Sequence, residues 1–285
     1  MSPDHGSAPS VEHVCELLVS GLAVGDLEVP ALSDSVVRLL ELCRDDEYRV
    51  ESVVGVVSRD PALAGQVLRV ANSAVYAPKV PIETVGQAVT RLGGRALSEI
   101  ALAMMLKEQV FRANARHAEE MRQLWLHSSI AGIYALNIGL LRREDSEATM
   151  LTGLLHDIGR PLVIQLLDDV EHLIGTCLDD ELREEVVATL HPEVGGLVIR
   201  EWGLSGAVEA AAANHHHPFA PSDHRDAAIT AHLADELAHW AADPGSRDSG
   251  RLRDHLAIRA LELPEEALGG LFSDPERVRQ LASCF

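Results

Sequence analysis

Apolar residues recur along most of this chain at spacings of three and four, the period of an α-helix with one buried face. The stretch SDSVVRLLELCRD shows the pattern after a helix start signal at Ser33 and Asp34. The stretch DPALAGQVLRVANSA has Asp60 in the place of an N-cap and Pro61 in the first helical turn. No alternating run of β-branched residues is long enough to predict a sheet. The pattern therefore predicts an all-α fold.

Further helices are predicted from the same periodicity in eight stretches and in a C-terminal group that begins near Gly250. The stretches are ETVGQAVTRL, RALSEIALAMMLKEQVF, AEEMRQLWLHSSIAGIYALNIGLL, DSEATMLTGLLHD, DDELREEVVATL, PEVGGLVIREW, AVEAAAANHH and RDAAITAHLADELAHWAAD. In the ANSAVY stretch, Asn72 and Ser73 are typical of a helix end and Tyr76 of a packing residue. We therefore expect a structural role there and no ligand.

Composition narrows the class of protein. Asp and Glu outnumber Lys and Arg by 44 to 24, and the net charge of -20 disfavours binding to nucleic acids and anionic membranes. The cysteines are scattered and form no CxxC pair, which is typical of reduced cytoplasmic thiols: Cys15, Cys43, Cys177 and Cys284. The N-terminal MSPDHGSAPS lacks the apolar core of a signal peptide, and the longest apolar runs are shorter than a membrane span. We expect a cytoplasmic protein.

Histidines and aspartates in the second half are the candidate chemistry. In chain order, the candidate ligands are His127, His156, Asp157, His191, His215, His216 and Asp235. Each has apolar neighbours, among which an unpaired imidazole or carboxylate is costly to bury, and metal ligation offsets that cost. Such a set suits zinc, iron or manganese better than magnesium or calcium. Adjacent residues at a helix end point about 100° apart, so His156 and Asp157 can reach two neighbouring ions, with the Asp157 carboxylate as the bridge.

Most of these residues also have a structural interpretation. His127 can be a hydrogen-bonded residue at the end of an apolar helix, and His191 can be an N-terminal helix residue before a proline. The run 215–217 can cap an alanine-rich helix through its dipole. Asp235, with a histidine one turn away on either side in AHLADELAHW, can belong to a solvated helix face. Four further histidines are expected on the surface without a role: His5, His117, His224 and His255.

Several separated motifs occur in a family order. SRDPALAGQVLRVANSAVYAP and IETVGQAVTRLGG are followed by LWLHSS, GLLHDIGRPL, HPEVGGLVIREWGL and NHHHP. Over roughly residues 25–240, the chain thereby resembles HDOD domains, the HD-related output domains of bacterial signalling proteins. The resemblance implies an N-terminal helical bundle packed on an HD-like helical core. A polar stretch near 111–120 separates the first half from the histidine-bearing second half. We therefore predict four segments: a tail and first helix (1–24), the helical bundle (25–114), the HD-like core (115–245) and a C-terminal helical extension (246–285).

The ordered histidine and aspartate set is similar to the two-metal ligand set of HD-GYP phosphodiesterases, which hydrolyse cyclic di-GMP. This implies two divalent ions of iron, manganese or zinc, with catalytic roles for Asp157 and for Arg160, which stands where those enzymes have a lysine and can hold phosphate by a bidentate contact. Two features depart from the pattern. FAPSDHRDAA, after NHHHP, contains no Gly-Tyr-Pro stretch, and Gln123 replaces the glutamate of trinuclear members, which disfavours a third metal.

Two functions are therefore open. The first is a regulatory HDOD protein with a retained metal site, acting on a signalling protein partner or through a nucleotide or cyclic dinucleotide ligand. The alternative is a metal-dependent phosphohydrolase that acts on a cyclic dinucleotide or another phosphoester. The segment 246–285 can either extend the core or mediate formation of an oligomer.

Overall fold

The computed structural model describes residues 9–24, 31, 34–43, 48–72, 78, 80–111, 115–144, 146–220, 222–244 and 249–283, and within these ranges it contains helices and no strand. This confirms the all-α prediction. The first half forms α1 (Val11–Val24), α2 (Asp34–Cys43), α3 (Val50–Val57), α4 (Pro61–Ala71) and α5 (Val85–Met105), followed by a π-helical turn (Leu106–Val110).

In the described part of the second half there are six longer helices and then four short ones. The longer helices are α6 (Ala118–Arg142), α7 (Ser146–Leu155), α8 (Gly159–Ile174), α9 (Asp180–Glu201), α10 (Gly206–Asn214) and α11 (Arg225–Ala242). The short helices are α12 (Ser249–Arg253), α13 (Leu256–Ala260), α14 (Glu265–Leu271) and α15 (Pro275–Ala282).

The predicted start of α4 is confirmed. The Asp60 carboxylate accepts hydrogen bonds from the backbone amides of Ala62 and Leu63 at 3.0 and 3.1 Å, and Pro61 occupies the first turn. These bonds satisfy two of the amides that a helix leaves unpaired at its N-terminus.

At the other end of α4, Asn72 has the structural role expected of it. Its side-chain amide donates to the carbonyls of Leu68 (2.9 Å) and Ile82 (2.8 Å), and its side-chain oxygen accepts from the Ile82 amide at 2.8 Å. Asn72 thus ties the helix end to the chain ten residues later. Ser73 and Tyr76 lie outside the described residues.

The prediction of a helix beginning at Pro192 is wrong, because α9 runs unbroken through it and places His191 in mid-helix. A proline inside a helix costs about 3 kcal/mol. The buried stripe at spacing four continues in phase across the proline and offsets that cost through packing; it consists of Val186, Leu190, Val194 and Val198.

Two hydrophobic clusters form the core. The first joins residues of α1 to α5 with residues of α7 to α10, and α1 packs directly on α8 and α9. The second lies between α6, α11 and the C-terminal helices, where the rings of Trp240 and Phe272 are 5.5 Å apart. Residues of the C-terminal helices are therefore part of the core of this chain.

Among the described helices, α6 is long and apolar enough to cross a membrane. Its apolar stretch is therefore longer than the apolar runs noted in the sequence, which are shorter than a membrane span. Of its most apolar window, 61% is buried inside the protein, as in a core helix. The cytoplasmic location stays a prediction.

A charged network fastens the start of α6 to α8 and α9. His117, expected on the surface, is instead 7% exposed, and its Nε2 lies 3.1 Å from Asp168 of α8. Arg183 of α9 donates to Asp168 at 2.9 Å and lies 2.8 Å from Glu171. Arg116 donates to the second oxygen of Glu171 at 2.7 Å. These contacts bury His117. Its partners come from helices that are distant in sequence, so its immediate neighbours in the chain do not indicate this burial.

Glu171→Gln tests the contribution of this network to stability. Burial alone raises the pKa of the Glu171 carboxyl, but hydrogen bonds from Arg116 and the Leu178 amide and the charge of Arg183 outweigh it, so the pKa lies below its ordinary value. The carboxylate therefore stabilises the fold above its unfolded pKa of about 4.3, and this is lost as the pH falls through the folded pKa.

We expect Glu171→Gln to lower the free energy of unfolding by roughly 2 kcal/mol at pH 7. The difference from the wild type should begin to shrink below the unfolded pKa of about 4.3 and be lost as the pH falls through the lower folded pKa, because the wild-type carboxyl is then protonated and resembles the amide. Urea unfolding at several pH values measures both effects, with the exposed Glu185→Gln on α9 as control. A difference that does not change with pH would contradict this account.

Candidate metal centre

All seven predicted ligand residues lie together in the structure. They come from α6 (His127), the turn between α7 and α8 (His156 and Asp157), the middle of α9 (His191), the end of α10 (His215 and His216) and α11 (Asp235). Apart from His127 and His216, they are buried or nearly so.

One set of donors, called here the first ligand group, consists of Asp157, His191, His215 and His216. The Oδ1 atom of Asp157 lies 3.3 Å from the Nε2 atoms of both His191 and His215. The Nε2 atom of His191 is 3.4 Å from that of His215 and 3.0 Å from that of His216. Two nitrogens bound to one tetrahedral zinc ion at about 2.1 Å lie about 3.4 Å apart, so this spacing suits one ion.

The other set, the second ligand group, consists of His127, His156, Asp157 and Asp235. The Nε2 atoms of His127 and His156 are 3.4 Å apart, and they lie 3.1 and 3.7 Å from Oδ1 of Asp235. The Oδ2 atom of Asp157 lies 3.7 Å from His156 and 4.0 Å from His127. The two oxygens of Asp157 therefore face different groups, as expected of a bridging carboxylate.

Hydrogen bonds to the backbone orient three of the imidazoles. The Nδ1 atom of His156 lies 2.7 Å from the Gly153 carbonyl, that of His191 2.9 Å from Val187, and that of His215 3.0 Å from Ala212. A neutral ring that donates from Nδ1 carries its lone pair on Nε2. In their neutral form the three buried rings thus direct lone pairs towards carboxylate oxygens, an arrangement that fits a cation between them.

The charge states of the acidic ligands follow from their surroundings. Burial by itself raises the pKa of Asp157, but His156, His191, His215 and Arg160 outweigh it and hold this pKa well below its ordinary value. The pKa of Asp235 is lowered in the same way by His127 and His156, against its burial. Both carboxylates are therefore ionised at neutral pH.

The pKa values of two of the histidines shift in opposite directions when no ion is present. Burial lowers the pKa of His156, but Asp157 and Asp235 outweigh it and raise the value to about 9. Burial, together with His215 and His191, lowers the pKa of His216 to about 4. His216 is thus neutral at pH 7, the form in which an imidazole ligates a metal.

Arg160 connects this centre to a cavity. Its Nε atom lies 3.1 Å from Oδ2 of Asp157, and its side chain is 32% exposed. It also lines a cavity of about 650 Å³ between α6, α8 and α9, which His117 and Arg183 line as well. Arg160 can therefore contact both the metal ligands and a molecule in the cavity.

Sequence reasoning missed His239 on α11. Its Nε2 atom lies 3.3 Å from Oδ1 of Asp235, and its ring centroid is 4.6 Å from that of His127. The sequence feature that could have identified His239 is its position four residues after Asp235, which places both residues on one helix face. Gln123, the other position considered, donates to Glu119 on the exposed face of α6 at 2.7 Å.

An uncharacterised protein of Treponema pallidum (strain Nichols) is 23% identical over 217 residues, covering 70% of this chain and 40% of that protein. The chain thus matches less than half of this relative's length.

Two solved structures share the fold. One is a proposed metal-dependent phosphohydrolase from Shewanella amazonensis SB2B, with a TM-score of 0.74, 20% identity, and coverage of 95% of this chain and 99% of that one. The other is an HDOD domain protein of unknown function from Geobacter sulfurreducens, with a TM-score of 0.71, 20% identity, and coverage of 95% and 98%.

The family model of the HDOD domain matches residues 29–218. Because this match covers more than half of the chain, we conclude that the chain belongs to the HDOD domain family.

Proposed function

We propose that this HDOD protein binds two divalent transition-metal ions and acts as a metal-dependent regulatory module for a phosphate-bearing ligand. The observation that carries the proposal is the Asp157 carboxylate, whose two oxygens face two separate groups of imidazole nitrogens. The first ligand group would hold one ion and the second ligand group the other, with Asp157 shared between them. The chemistry of these donors favours iron, manganese or zinc.

The proposed ligand is a nucleotide or cyclic dinucleotide. Arg160 supports this class, because its guanidinium lies at the boundary between the metal ligands and the cavity and can make bidentate contacts with phosphate. A bound ligand would place its phosphate beside Asp157 and its remaining parts between α6, α8 and α9. A change in this cavity would reach the charged network of His117 and Arg183, from which a signalling protein partner could be regulated.

A second candidate function is phosphoester hydrolysis. It is favoured by the completeness of both ligand groups, and by the Shewanella protein of similar fold, which is named as a proposed metal-dependent phosphohydrolase. Two bound ions would supply a hydroxide nucleophile at neutral pH and clamp the phosphate. In that case Arg160 would orient the phosphate, and Asp157 would fix the geometry of the centre. The absence of a Gly-Tyr-Pro stretch after NHHHP favours the regulatory function over this one.

Metal analysis combined with ligand binding tests the proposal. Protein purified without oxygen, and reconstituted with iron, manganese or zinc, should contain close to two ions per chain. Cyclic dinucleotides and nucleotides should bind the metal-loaded form more tightly than the metal-free form in calorimetry, without turnover, and Arg160→Ala should weaken binding by about 1.5–3 kcal/mol. Exposed Arg251→Ala is the control.

The outcomes separate the two functions. Turnover of a phosphoester that Asp157→Ala abolishes would replace the regulatory function with hydrolysis. Less than one ion per chain after reconstitution with all three metals would remove the basis of both functions. Two ions with no binding of any nucleotide tested would contradict the proposed ligand class and direct the search to protein partners.

A further inference from the structure

Three imidazole nitrogens surround a single oxygen of Asp235. The Nε2 atom of His127 lies 3.1 Å from Oδ1, that of His239 3.3 Å and that of His156 3.7 Å. His127 comes from α6, His156 from the turn after α7, and His239 from α11 itself. Residues from three separate parts of the chain thus converge on one atom, although neither the fold match nor the family resemblance assigns a role to His239.

We propose that His239 is an additional ligand of the metal ion held by the second ligand group. The inference rests on the proposed metal centre and deepens it. Asp235 and His239 are one turn apart on α11, so a single helix face presents a carboxylate and an imidazole to the same position. His127 packs beside His239 with ring centroids 4.6 Å apart, which brings the nitrogen donors of α6 and α11 together.

A surface ion pair explains this arrangement less well. The side chain of His239 is 50% exposed, and an exposed ion pair at spacing four contributes little to stability. The Asp235 side chain is only 12% exposed, however, and its Oδ1 atom already faces His127 and His156. One carboxylate oxygen offers two lone pairs, fewer than the three rings that surround it. A divalent cation bound between them can accept a lone pair from each of the three nitrogens and from the oxygen.

The position of His156 strengthens this argument. Its Nδ1 atom donates to the Gly153 carbonyl at 2.7 Å, so in the neutral ring Nε2 presents a lone pair to the centre and not a proton. In that neutral form the lone pair faces Asp235 and Asp157, and a bound cation between them makes the contact favourable. The same charge would attract the lone pair of His239.

The added ligand gives the two metal positions different properties. The first ligand group offers three imidazoles and one oxygen of Asp157. With His239, the second position offers three imidazoles and two carboxylates, so fewer coordination sites remain for water or phosphate. His239 also supplies a nitrogen donor in a chain where Gln123 provides no carboxylate on α6. A filled second position favours retention of the ion and disfavours turnover, in agreement with a regulatory role.

Metal titration of His239 variants tests this inference. Wild type, His239→Ala and His239→Gln are titrated with zinc by calorimetry and with cobalt(II), whose visible absorption reports the ligands around each ion. We expect the first ion to bind all three proteins equally. The dissociation constant of the second ion should rise at least roughly tenfold in both variants, and the cobalt spectrum of the second equivalent should change. His217→Ala, an exposed histidine beside the centre, is the matched control and should behave as the wild type.

The results distinguish this inference from the proposal on which it rests. Two ions in the wild type, with unchanged affinity and spectrum in either folded His239 variant, would overturn the role of His239 and leave the metal centre standing. A wild type that binds no ion would overturn both. A wild type with a single ion that is lost in His215→Ala but retained in His127→Ala would place that ion in the first ligand group, and this too would overturn the role of His239.

Discussion

Asp157→Ala is expected to abolish binding of both metal ions. The substitution removes one oxygen donor from each ligand group, because Oδ1 faces His191 and His215 and Oδ2 faces His127 and His156. It also removes a negative charge that helps to raise the pKa of His156. Two divalent ions held close together repel each other, and they depend on a shared anion between them. No other predicted ligand is shared by both groups.

Elemental analysis and metal-dependent stability measure this effect. At a free metal concentration of 100 times the dissociation constant, each bound ion stabilises the folded protein by about 2.7 kcal/mol, and Asp157→Ala should show no such metal-dependent gain. His127→Ala should lose only the ion of the second ligand group, and His216→Ala should weaken only the other. Asp169→Ala, which removes an exposed carboxylate of α8, is the control. One tight ion retained by Asp157→Ala would show that Asp157 does not bridge.

The candidate ligands that the structure brings together could be identified in the sequence, because burial makes local chemical demands on such residues. A histidine or aspartate among apolar neighbours needs a partner, and adjacency alone indicated that His156 and Asp157 face different directions. Whether such residues meet depends on helix packing, which periodicity does not specify. His117 shows this limit, since Asp168 and Arg183 that bury it come from α8 and α9.

Three further differences separate the sequence prediction from the structure. The sequence predicts a helix that begins at Pro192, because a proline inside a helix costs about 3 kcal/mol. Helix α9 nevertheless continues through it, because the buried stripe that includes Leu190 and Val194 packs on either side of Pro192. The sequence leaves AHLADELAHW open as a solvated helix face and gives His239 no role; half of its side chain is exposed, a feature compatible with ligation at the rim of a site. Helix α8, absent from the predicted helices, begins at Gly159, two residues after Asp157.

Gly159→Ala is expected to be the most destabilising small substitution near the centre. A Cβ atom at Gly159 would lie 1.9 Å from the carbonyl oxygen of His191 and 2.9 Å from the amide nitrogen of Gly195. Helices α8 and α9 are thus in direct backbone contact beside the metal ligands. An ordinary contact of at least 3.4 Å requires the helices to separate by more than 1 Å, and neither backbone can rotate away as a side chain would.

This separation should act on stability and on the metal centre together. Overpacking of a tight core costs typically 1–3 kcal/mol, and we expect a loss of about 3 kcal/mol in the free energy of unfolding for Gly159→Ala. His191 moves with α9 while Asp157 precedes α8, so the 3.3 Å spacing within the first ligand group should widen and the affinity of its ion should fall. Urea unfolding of the metal-free protein and metal titration measure the two effects separately.

Two glycine variants provide the matched comparison. Gly195→Ala lies across the same contact, but its added Cβ would meet its nearest atoms at 3.4–3.5 Å, so only a small change is expected. Gly65→Ala on α4 meets nothing within 4 Å and should raise stability by about 0.4–1 kcal/mol, because alanine restricts the unfolded chain. If Gly159→Ala behaved like Gly65→Ala and kept both ions, α8 and α9 could not be in backbone contact. A large loss confined to Gly159→Ala would show that the geometry of the first ligand group depends on the close approach of these two helices.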